Sequence, residues 1–247
     1  KDRKLAPDVN LMDIAKSTPG LVGADLANIV NEAAIIAVRG GNEVISVLDF
    51  QEAVEKSLIG GVQQKSRIIS ESERRTIAYH EAGHAVVMHA TPHSDPVYKI
   101  TIIPRGQSGG FTMALPEQDS ILMFRNQIMA RIIGLMGGRV AEEIFCHDIT
   151  SGASNDLQVA TQLAEDMVMR LGMSISGLRV FQRHEVGGSQ AGQKTFEALD
   201  KAINEILDEG YQEAKRIVTE KQDAVERVTQ ALLAQETLSR EEFVALM

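Results

Sequence analysis

The chain has 247 residues, of which 44% are hydrophobic, and its 25 basic and 34 acidic residues give a net charge of -9. These values fit a soluble globular protein of one large domain or two smaller ones. The acidic balance argues against a nucleic-acid partner, since phosphate binding requires a basic face. The single cysteine, Cys146, excludes an intrachain disulfide, and no apolar run is long enough to span a membrane. The charged opening KDRKLAPDVN lacks an initiator methionine, so we expect the chain to be part of a longer protein.

The first sixty residues have helical periodicity. Apolar residues recur at steps of three and four between positions 26 and 37, and a Gly-Gly pair then provides a stop. Ser46, followed three residues later by Asp49, predicts the start of a further helix that runs to position 58. We therefore predict a small helical bundle over residues 1–62 and, in the polar segment that follows, a linker over residues 63–72.

Residues 73–247 have a different pattern and are predicted to form a second domain. A helix over residues 73–90 precedes two β-branched runs, which flank the turn-rich segment PRGQSGG and predict a hairpin or two adjacent strands. Helical patterning returns at residues 120–145, 156–173 and 195–247. The predicted fold class is mostly α with a small β element, in which these two strands are the only convincing ones.

The segment AYHEAGHAVV, residues 78–87, places two histidines four residues apart within the first helix of this domain. Side chains four apart lie one above the other on a helix, so His80 and His84 point the same way, with Glu81 beside them. This pattern is the arrangement that a zinc ion and its catalytic base require. The alternative is that both histidines are hydrogen-bonded residues without a metal. Gly83 is costly in mid-helix and indicates that something approaches the backbone closely there.

Catalytic zinc usually has three protein ligands, so a third ligand must lie elsewhere in the chain. Asp156 is the best candidate on local grounds, because its short side chain lies at the start of the helix that follows TSGASN. A purely stabilising role at that helix N-terminus is an equally good interpretation from the residues alone. A Cys146-His147 pair is less favourable, because adjacent residues cannot easily both reach one ion without strain. The remaining downstream candidates are Glu142, Glu143, Asp148, Glu165, Asp166 and His184.

Five motifs together resemble the FtsH family of ATP-dependent zinc metalloproteases. In chain order they are TPGLVGADLANIVNEAA (18–34), AYHEAGHAVV (78–87), KITIIPRG (99–106), GGRVAEEI (137–144) and TSGASNDLQVAT (150–161). Their order and spacing match that family across nearly the whole chain. The resemblance implies that residues 1–62 form the helical lid subdomain of an AAA+ ATPase and that residues 73–247 form a mainly helical zinc metallopeptidase domain. It also implies that His80, His84 and Asp156 bind zinc and that Glu81 is the catalytic base, which activates water for peptide hydrolysis.

The resemblance further implies the function of the longer protein, a membrane-associated protease that degrades unfolded or misassembled soluble and membrane proteins. Zn²⁺ is implied for this chain, and ATP with Mg²⁺ for the full-length protein only. The implied assembly is a homohexamer with an anchor outside this chain, at the cytoplasmic face of a bacterial inner membrane or in an organelle, while the chain itself is expected to be soluble.

The nucleotide contacts implied by the resemblance lie in the segment GADL. Gly23 and Ala24, together with Asp25, are expected to approach the nucleotide, although GADL is equally typical of an ordinary helix start. The chain has no phosphate-binding loop, so we expect no ATP hydrolysis by this part alone.

The second predicted strand suggests how a polypeptide substrate is bound. An exposed strand edge can pair with an extended peptide through backbone hydrogen bonds, and we predict such an edge at Gly110, Phe111, Thr112 and Met113, near the zinc. A purely structural hairpin is the alternative. Three other functions stay open from the residues: a non-catalytic interaction module, a zinc enzyme that acts on a small molecule, and a helical scaffold.

Overall fold

The computed structural model describes residues 3–18, 20–59, 69–106, 108–116, 121–174, 178, 180–181 and 193–247. The chain divides into two compact units. The first comprises the described parts of Lys1–Arg67, Pro104–Ser108 and Leu115–Ser120, and the second those of Ile68–Ile103, Gly109–Ala114 and Ile121–Met247. Most of the predicted linker, residues 63–68, lies outside the described residues, and its last two residues belong to the first turn of a helix. The predicted domain bounds therefore stay a prediction.

The described residues of the first unit form the helices α1 (Leu11–Lys16), α2 (Gly23–Arg39) and α3 (Val47–Ile59). Helix α3 begins where the sequence predicts, because the Asp49 carboxylate accepts the Ser46 N–H at 2.8 Å while the Ser46 hydroxyl accepts the Asp49 N–H at 3.3 Å. The helices enclose a small core, which consists of Ile29, Ala33, Ala37, Ile45, Phe50, Ala53 and Val54.

The second unit contains a longer series of elements around a larger core. In chain order these elements are α4 (Glu71–Ala90), β1 (Val97–Thr101), β2 (Phe111–Ala114), α5 (Arg125–Ala141), α6 (Ser154–Glu165), α7 (Gln193–Glu220), α8 (Gln222–Gln235), β3 (Thr237–Ser239) and α9 (Arg240–Leu246). A π-helical turn extends each of α5 and α6, and a 3-10 turn precedes α6. The observed architecture is mostly helical with one small sheet, which confirms the predicted fold class.

Helix α4 is the centre of the second unit and is buried from Ala78 to Val87. It packs against α5 and α8, and its approach to α5 is close because glycines face each other there. A methyl group at Gly83 would lie 2.4 Å from the Gly137 carbonyl oxygen and 2.5 Å from the Ala141 side chain. The predicted close approach at Gly83 is therefore confirmed, and the neighbour is a second helix.

The sheet has the strand order β2-β1-β3, and both pairs are antiparallel. The pairing of β1 with β2 confirms the two predicted strands. The prediction that they were the only strands is wrong, because β3 pairs with β1 on its other side. With three residues between two helices, β3 is too short to produce a recognisable alternating pattern.

In the described part of the chain, no helix combines the length and the apolar character that crossing a membrane requires.

Candidate metal centre

His80, His84 and Asp156 each bring one ligand atom to the same point in the second unit. The Nε2 atoms of the two histidines lie 3.0 Å apart. The Oδ2 atom of Asp156 lies 3.3 Å from Nε2 of His80 and 3.4 Å from Nε2 of His84. Among the described residues, no other set of three His, Cys, Asp or Glu side chains converges in this way.

These separations fit a small divalent cation. Ligand atoms at about 2.0–2.1 Å from a tetrahedral zinc ion lie about 3.3 Å from one another, close to the three observed distances. Two imidazole nitrogens and one carboxylate oxygen are also a donor set that zinc accepts. The residues present therefore suit a zinc ion with three protein ligands.

Two helices bring the three side chains together. His80 and His84 lie one turn apart on α4, with their rings edge to face and the ring centroids 4.6 Å apart. Asp156 lies in the first turn of α6. Its negative charge at that helix N-terminus is favourable in itself, so the stabilising role and the metal-binding role of Asp156 are compatible.

Glu142, in the π-helical turn after α5, contacts the far side of the His80 ring. Its Oε1 atom lies 2.7 Å from His80 Nδ1. Thr150 orients this carboxylate through its N–H, at 2.7 Å, and its hydroxyl, at 3.0 Å. Because an ionised carboxylate can only accept, Nδ1 carries a proton and Nε2 can present its lone pair to a metal. Glu142, a candidate third ligand in the sequence, is therefore the hydrogen-bond partner of a candidate ligand, His80.

A backbone carbonyl has the same effect on His84. The Gly134 oxygen lies 2.9 Å from His84 Nδ1. The Gly138 N–H also points at this nitrogen, at 3.3 Å, but the carbonyl is nearer and can only accept. Gly138 has a second effect, because a methyl group there would lie 2.5 Å from His84 Nε2 and 2.7 Å from His80 Nε2. Only glycine allows α5 to lie so close to both rings.

The carboxylates around the histidines control their charge. Burial acts to lower the pKa of His80, but the hydrogen bonds with Asp156 and Glu142 outweigh it and raise the pKa to about 10. Burial acts to raise the pKa of Asp156, but the hydrogen bonds with both histidines hold this pKa well below its usual range. Burial also opposes the fall in the pKa of Glu142, which the hydrogen bonds with His80 and Thr150 bring about. Both carboxylates are therefore ionised at neutral pH.

Glu81 lies beside the three ligand candidates without joining them. Its side chain is buried, and its Oε2 atom accepts the Thr112 hydroxyl at 2.8 Å. Burial raises the pKa of Glu81, although the nearby His80 and His84 act to lower it. A carboxyl group with a raised pKa next to a metal position is suited to accept and return a proton near neutral pH.

The other candidate third ligands in the described residues do not join this group. Glu143 instead bonds to Tyr211 and Lys215, and Asp166 pairs with Arg170. His184 lies outside the described residues. The remaining candidates that do not converge with the histidines are Cys146, His147, Asp148 and Glu165.

Three supporting groups were not foreseen from the sequence: the Thr150 hydroxyl, the Gly134 carbonyl and the space at Gly138. One signal was available for the first, because the acidic pair Glu142-Glu143 follows an apolar helix, where a buried carboxylate needs partners. No feature of the sequence indicates which carbonyl accepts a hydrogen bond from His84.

The structure places the predicted strand edge close to Glu81. Strand β2 lies at one edge of the sheet, and its Thr112 side chain contacts Glu81. In the first unit, Gly23 is the first residue of α2, and the Asp25 carboxylate accepts the Val22 N–H at 3.1 Å. The substrate role of Gly110, Phe111, Thr112 and Met113 and the nucleotide role of Gly23 and Ala24 stay predictions.

Comparison with known proteins identifies the family. Residues 67–246 match peptidase family M41, and residues 8–52 match the AAA+ lid domain. The chain belongs to peptidase family M41. This membership confirms the resemblance that the five motifs predict, and with it the prediction that the chain contains a peptidase domain.

Several curated proteins are similar to nearly the whole chain. The ATP-dependent zinc metalloprotease FtsH 1 of Thermoanaerobacter sp. (strain X514) is 41% identical over 98% of this chain and 41% of its own length. The ATP-dependent zinc metalloprotease FtsH of Thermotoga maritima is 42% identical over 98% of this chain and 41% of its own length. The protein of that name from Burkholderia pseudomallei (strain 1710b) is 41% identical over 100% of this chain and 39% of its own length. The chain thus spans about two-fifths of the length of these relatives.

Proposed function

We propose that this chain is the lid and peptidase part of an ATP-dependent zinc endopeptidase, with residues 1–62 as the lid, 63–72 as the linker and 73–247 as the peptidase domain. Its proposed substrates are unfolded or misassembled soluble and membrane proteins. The observation that carries the proposal is the triangle of ligand atoms, 3.0 to 3.4 Å apart, with the Glu81 carboxyl group beside it.

In this proposal His80, His84 and Asp156 hold the zinc ion, and Glu142 and the Gly134 carbonyl keep the two imidazoles oriented. When bound, the ion would act as a Lewis acid, which polarises a carbonyl group and lowers the pKa of water toward about 7. The proton transfers belong to the protein.

Glu81 carries out those transfers. It takes a proton from the attacking water molecule, whose oxygen forms a bond to the carbonyl carbon of the substrate peptide. As the carbon–nitrogen bond breaks, Glu81 gives that proton to the departing amine. Its raised pKa supports both steps, because the protonated form is easier to reach than for an exposed glutamate.

The substrate is proposed to pair with the strand edge formed by Gly110, Phe111, Thr112 and Met113. Two observations support this role. Within the described sheet β2 is the terminal strand, and it runs past Glu81. Backbone pairing depends little on sequence, which suits a protease that acts on many unfolded chains.

The nucleotide, assembly and membrane properties are proposed for the longer protein. ATP and Mg²⁺ would bind mainly outside this chain, with Gly23 and Ala24 approaching the nucleotide from the lid. The match of residues 8–52 to the AAA+ lid domain supports this dependence on ATP. The longer protein is proposed to be a homohexamer, anchored at the cytoplasmic face of a bacterial inner membrane or in an organellar membrane.

Metal analysis and casein cleavage test the proposal in the intact protein that contains this chain. We expect bound zinc, cleavage that a chelator abolishes, and recovery when zinc is restored. Glu81→Gln should keep the zinc and lose cleavage by at least about a hundredfold, since it removes the general base. Cleavage at the normal rate by Glu81→Gln, or full activity in zinc-free protein, would contradict the proposal.

A further inference from the structure

The Glu81 carboxyl group is fixed from one side by strand β2. The Thr112 hydroxyl lies 2.8 Å from Glu81 Oε2 and 3.1 Å from the Glu81 backbone oxygen. A hydroxyl has one proton, so it makes one strong hydrogen bond, and the shorter distance favours the side-chain oxygen. The strand is therefore linked mainly to the carboxyl group itself and only weakly to the helix backbone.

The two carboxyl oxygens of Glu81 have different surroundings. Oε2 is next to the Thr112 hydroxyl, whereas Oε1 lies next to Gly110, where a methyl group would come within 3.0 Å of it. Strand β2 thus places a hydrogen-bond donor against one oxygen, and Gly110, the residue before the strand, lies against the other. Because the carboxyl group is planar, a bond that fixes Oε2 also fixes the direction of Oε1.

We propose that Thr112 is a positioning residue for hydrolysis: its hydroxyl fixes the orientation of the Glu81 carboxyl group, the group that exchanges the proton. The assignment rests on the proposed function, because it gives Thr112 a role only if Glu81 is the base. Fixing the Glu81 carboxyl group also differs from pairing with a substrate peptide at the strand edge, because that pairing requires only the backbone groups of Thr112. Proton transfer depends steeply on geometry, so a carboxyl group free to rotate loses rate while substrate binding is unchanged.

The variants Thr112→Val and Thr112→Ser test the role of the hydroxyl in the zinc-loaded intact protein. Valine keeps the branched shape and removes the donor, whereas serine keeps the donor. We expect Thr112→Val to lower kcat for a peptide substrate about tenfold with KM within twofold of the original, and Thr112→Ser to recover kcat to within about threefold. Zinc content should be the same in all three proteins.

Thr101→Val is the matched control on the neighbouring strand. The Thr101 hydroxyl bonds to the Glu236 carbonyl oxygen and the Thr237 hydroxyl, so it links β1 to the region of β3 and does not contact Glu81. This variant should lower the melting temperature and leave kcat within twofold. Thr112→Val would match that pattern if its hydroxyl served only to attach the strand to the Glu81 backbone, and the proposal would then be wrong.

Binding of a peptide hydroxamate gives a readout that does not depend on turnover. A hydroxamate that occupies the metal also offers a hydrogen bond to the glutamate base, so Thr112→Val should weaken its binding about fivefold. In a Glu81→Gln background the same change should alter binding less than twofold, because the two residues act as one unit. Equal weakening in both backgrounds would overturn the proposal.

The outcomes also separate this inference from the proposed function. If the unmodified protein shows no zinc-dependent cleavage, the proposed function fails. If it cleaves normally and Thr112→Val has the same kcat, or a changed KM alone, only the positioning role of Thr112 fails.

Discussion

The two units of this chain differ in the polar groups that they bury. In the described part of the first unit, three helices enclose a small apolar core whose largest member is Phe50, and the main buried polar pair is the ion pair Arg105–Glu55, with nitrogen and oxygen 2.9 Å apart. In the second unit, a much larger apolar core surrounds a buried polar cluster, which includes His80, His84, Glu81 and Glu142. The polar cluster is tolerated because each of these side chains has a hydrogen-bond partner.

This difference shows which kinds of residue in the sequence indicate function. In the first unit the buried apolar positions of α2 follow helical periodicity, and a residue there can be replaced by another of similar size and polarity. In the second unit the site consists of residues that ordinary helix rules disfavour, such as glycine, histidine and glutamate inside buried helices. A local departure from those rules is therefore a better guide to function than the pattern itself.

The largest effect is expected when one phenylalanine is removed from each core. Phe50→Ala and Phe243→Ala each delete a fully buried ring, which costs about 3–5 kcal/mol. The small first unit should unfold locally, so the amides of α2 and α3 should lose protection from hydrogen exchange while those of α4 and α5 keep it. In Phe243→Ala, α4 and α5 should stay protected. If either variant loses protection in both units, the expectation that each core stabilises its own unit is wrong.

A smaller effect is expected at glycines. Gly83→Ala forces a methyl group against the Gly137 carbonyl and Ala141, which should lower the free energy of unfolding by up to about 3 kcal/mol. Gly23→Ala is the control, because a methyl group there meets nothing within 4 Å, and its change should stay within about 0.5 kcal/mol. Chemical denaturation monitored by circular dichroism measures both. Equal effects would mean that α4 and α5 can separate at little cost.

Substitutions of the neighbouring residues Glu142 and Glu143 should differ in their effect on zinc affinity. Glu142→Gln replaces the negatively charged hydrogen-bond partner of His80 Nδ1 with a neutral amide. This change should weaken zinc binding about 10- to 100-fold. Glu143→Gln should change it less than twofold, because Glu143 faces Tyr211 and Lys215 instead. Competition with a chromophoric chelator measures both affinities. Similar losses in the two variants would exclude a specific role for Glu142.

The smallest expected effect is the change of zinc affinity with pH. Because the pKa of His80 is raised to about 10, its protonated form predominates at neutral pH, and zinc has to displace that proton. Zinc affinity should therefore rise with pH, by about tenfold per unit between pH 7 and 8, with release of about one proton per ion. Titration calorimetry in buffers of different ionisation enthalpy counts the protons. Binding without proton release would show that His80 is already neutral.

The sequence predicted the helices and the convergence of the two histidines on one helix face, and the reasons are local. Ser46 and Asp49 form their cap within four residues, and His80 and His84 share a face because any helix puts positions four apart together. The position of Asp156 beside them depended on a family resemblance, since nothing in its own segment distinguishes a metal ligand from a helix-stabilising residue.

What the sequence could not supply depends on contacts between distant segments. Strand β3 exists because β1 offers it a partner, so its three residues carry no pattern of their own. The role of Glu142 depends on which nitrogen of His80 it faces, and the residue type alone fits a ligand and a ligand's partner equally well. The space at Gly138 likewise becomes meaningful only when α5 is placed against both histidines.

The long sequence separation between β1 and β3 has a consequence for biosynthesis. Thr237 pairs with Thr101 at a sequence separation of 136 residues, so the sheet that supports Thr112 has only two of its three strands until the ribosome has released that segment. A two-stranded ribbon is marginally stable in water. The proposed positioning of the Glu81 carboxyl group by Thr112 is therefore complete only after residues 237–239 have joined the sheet.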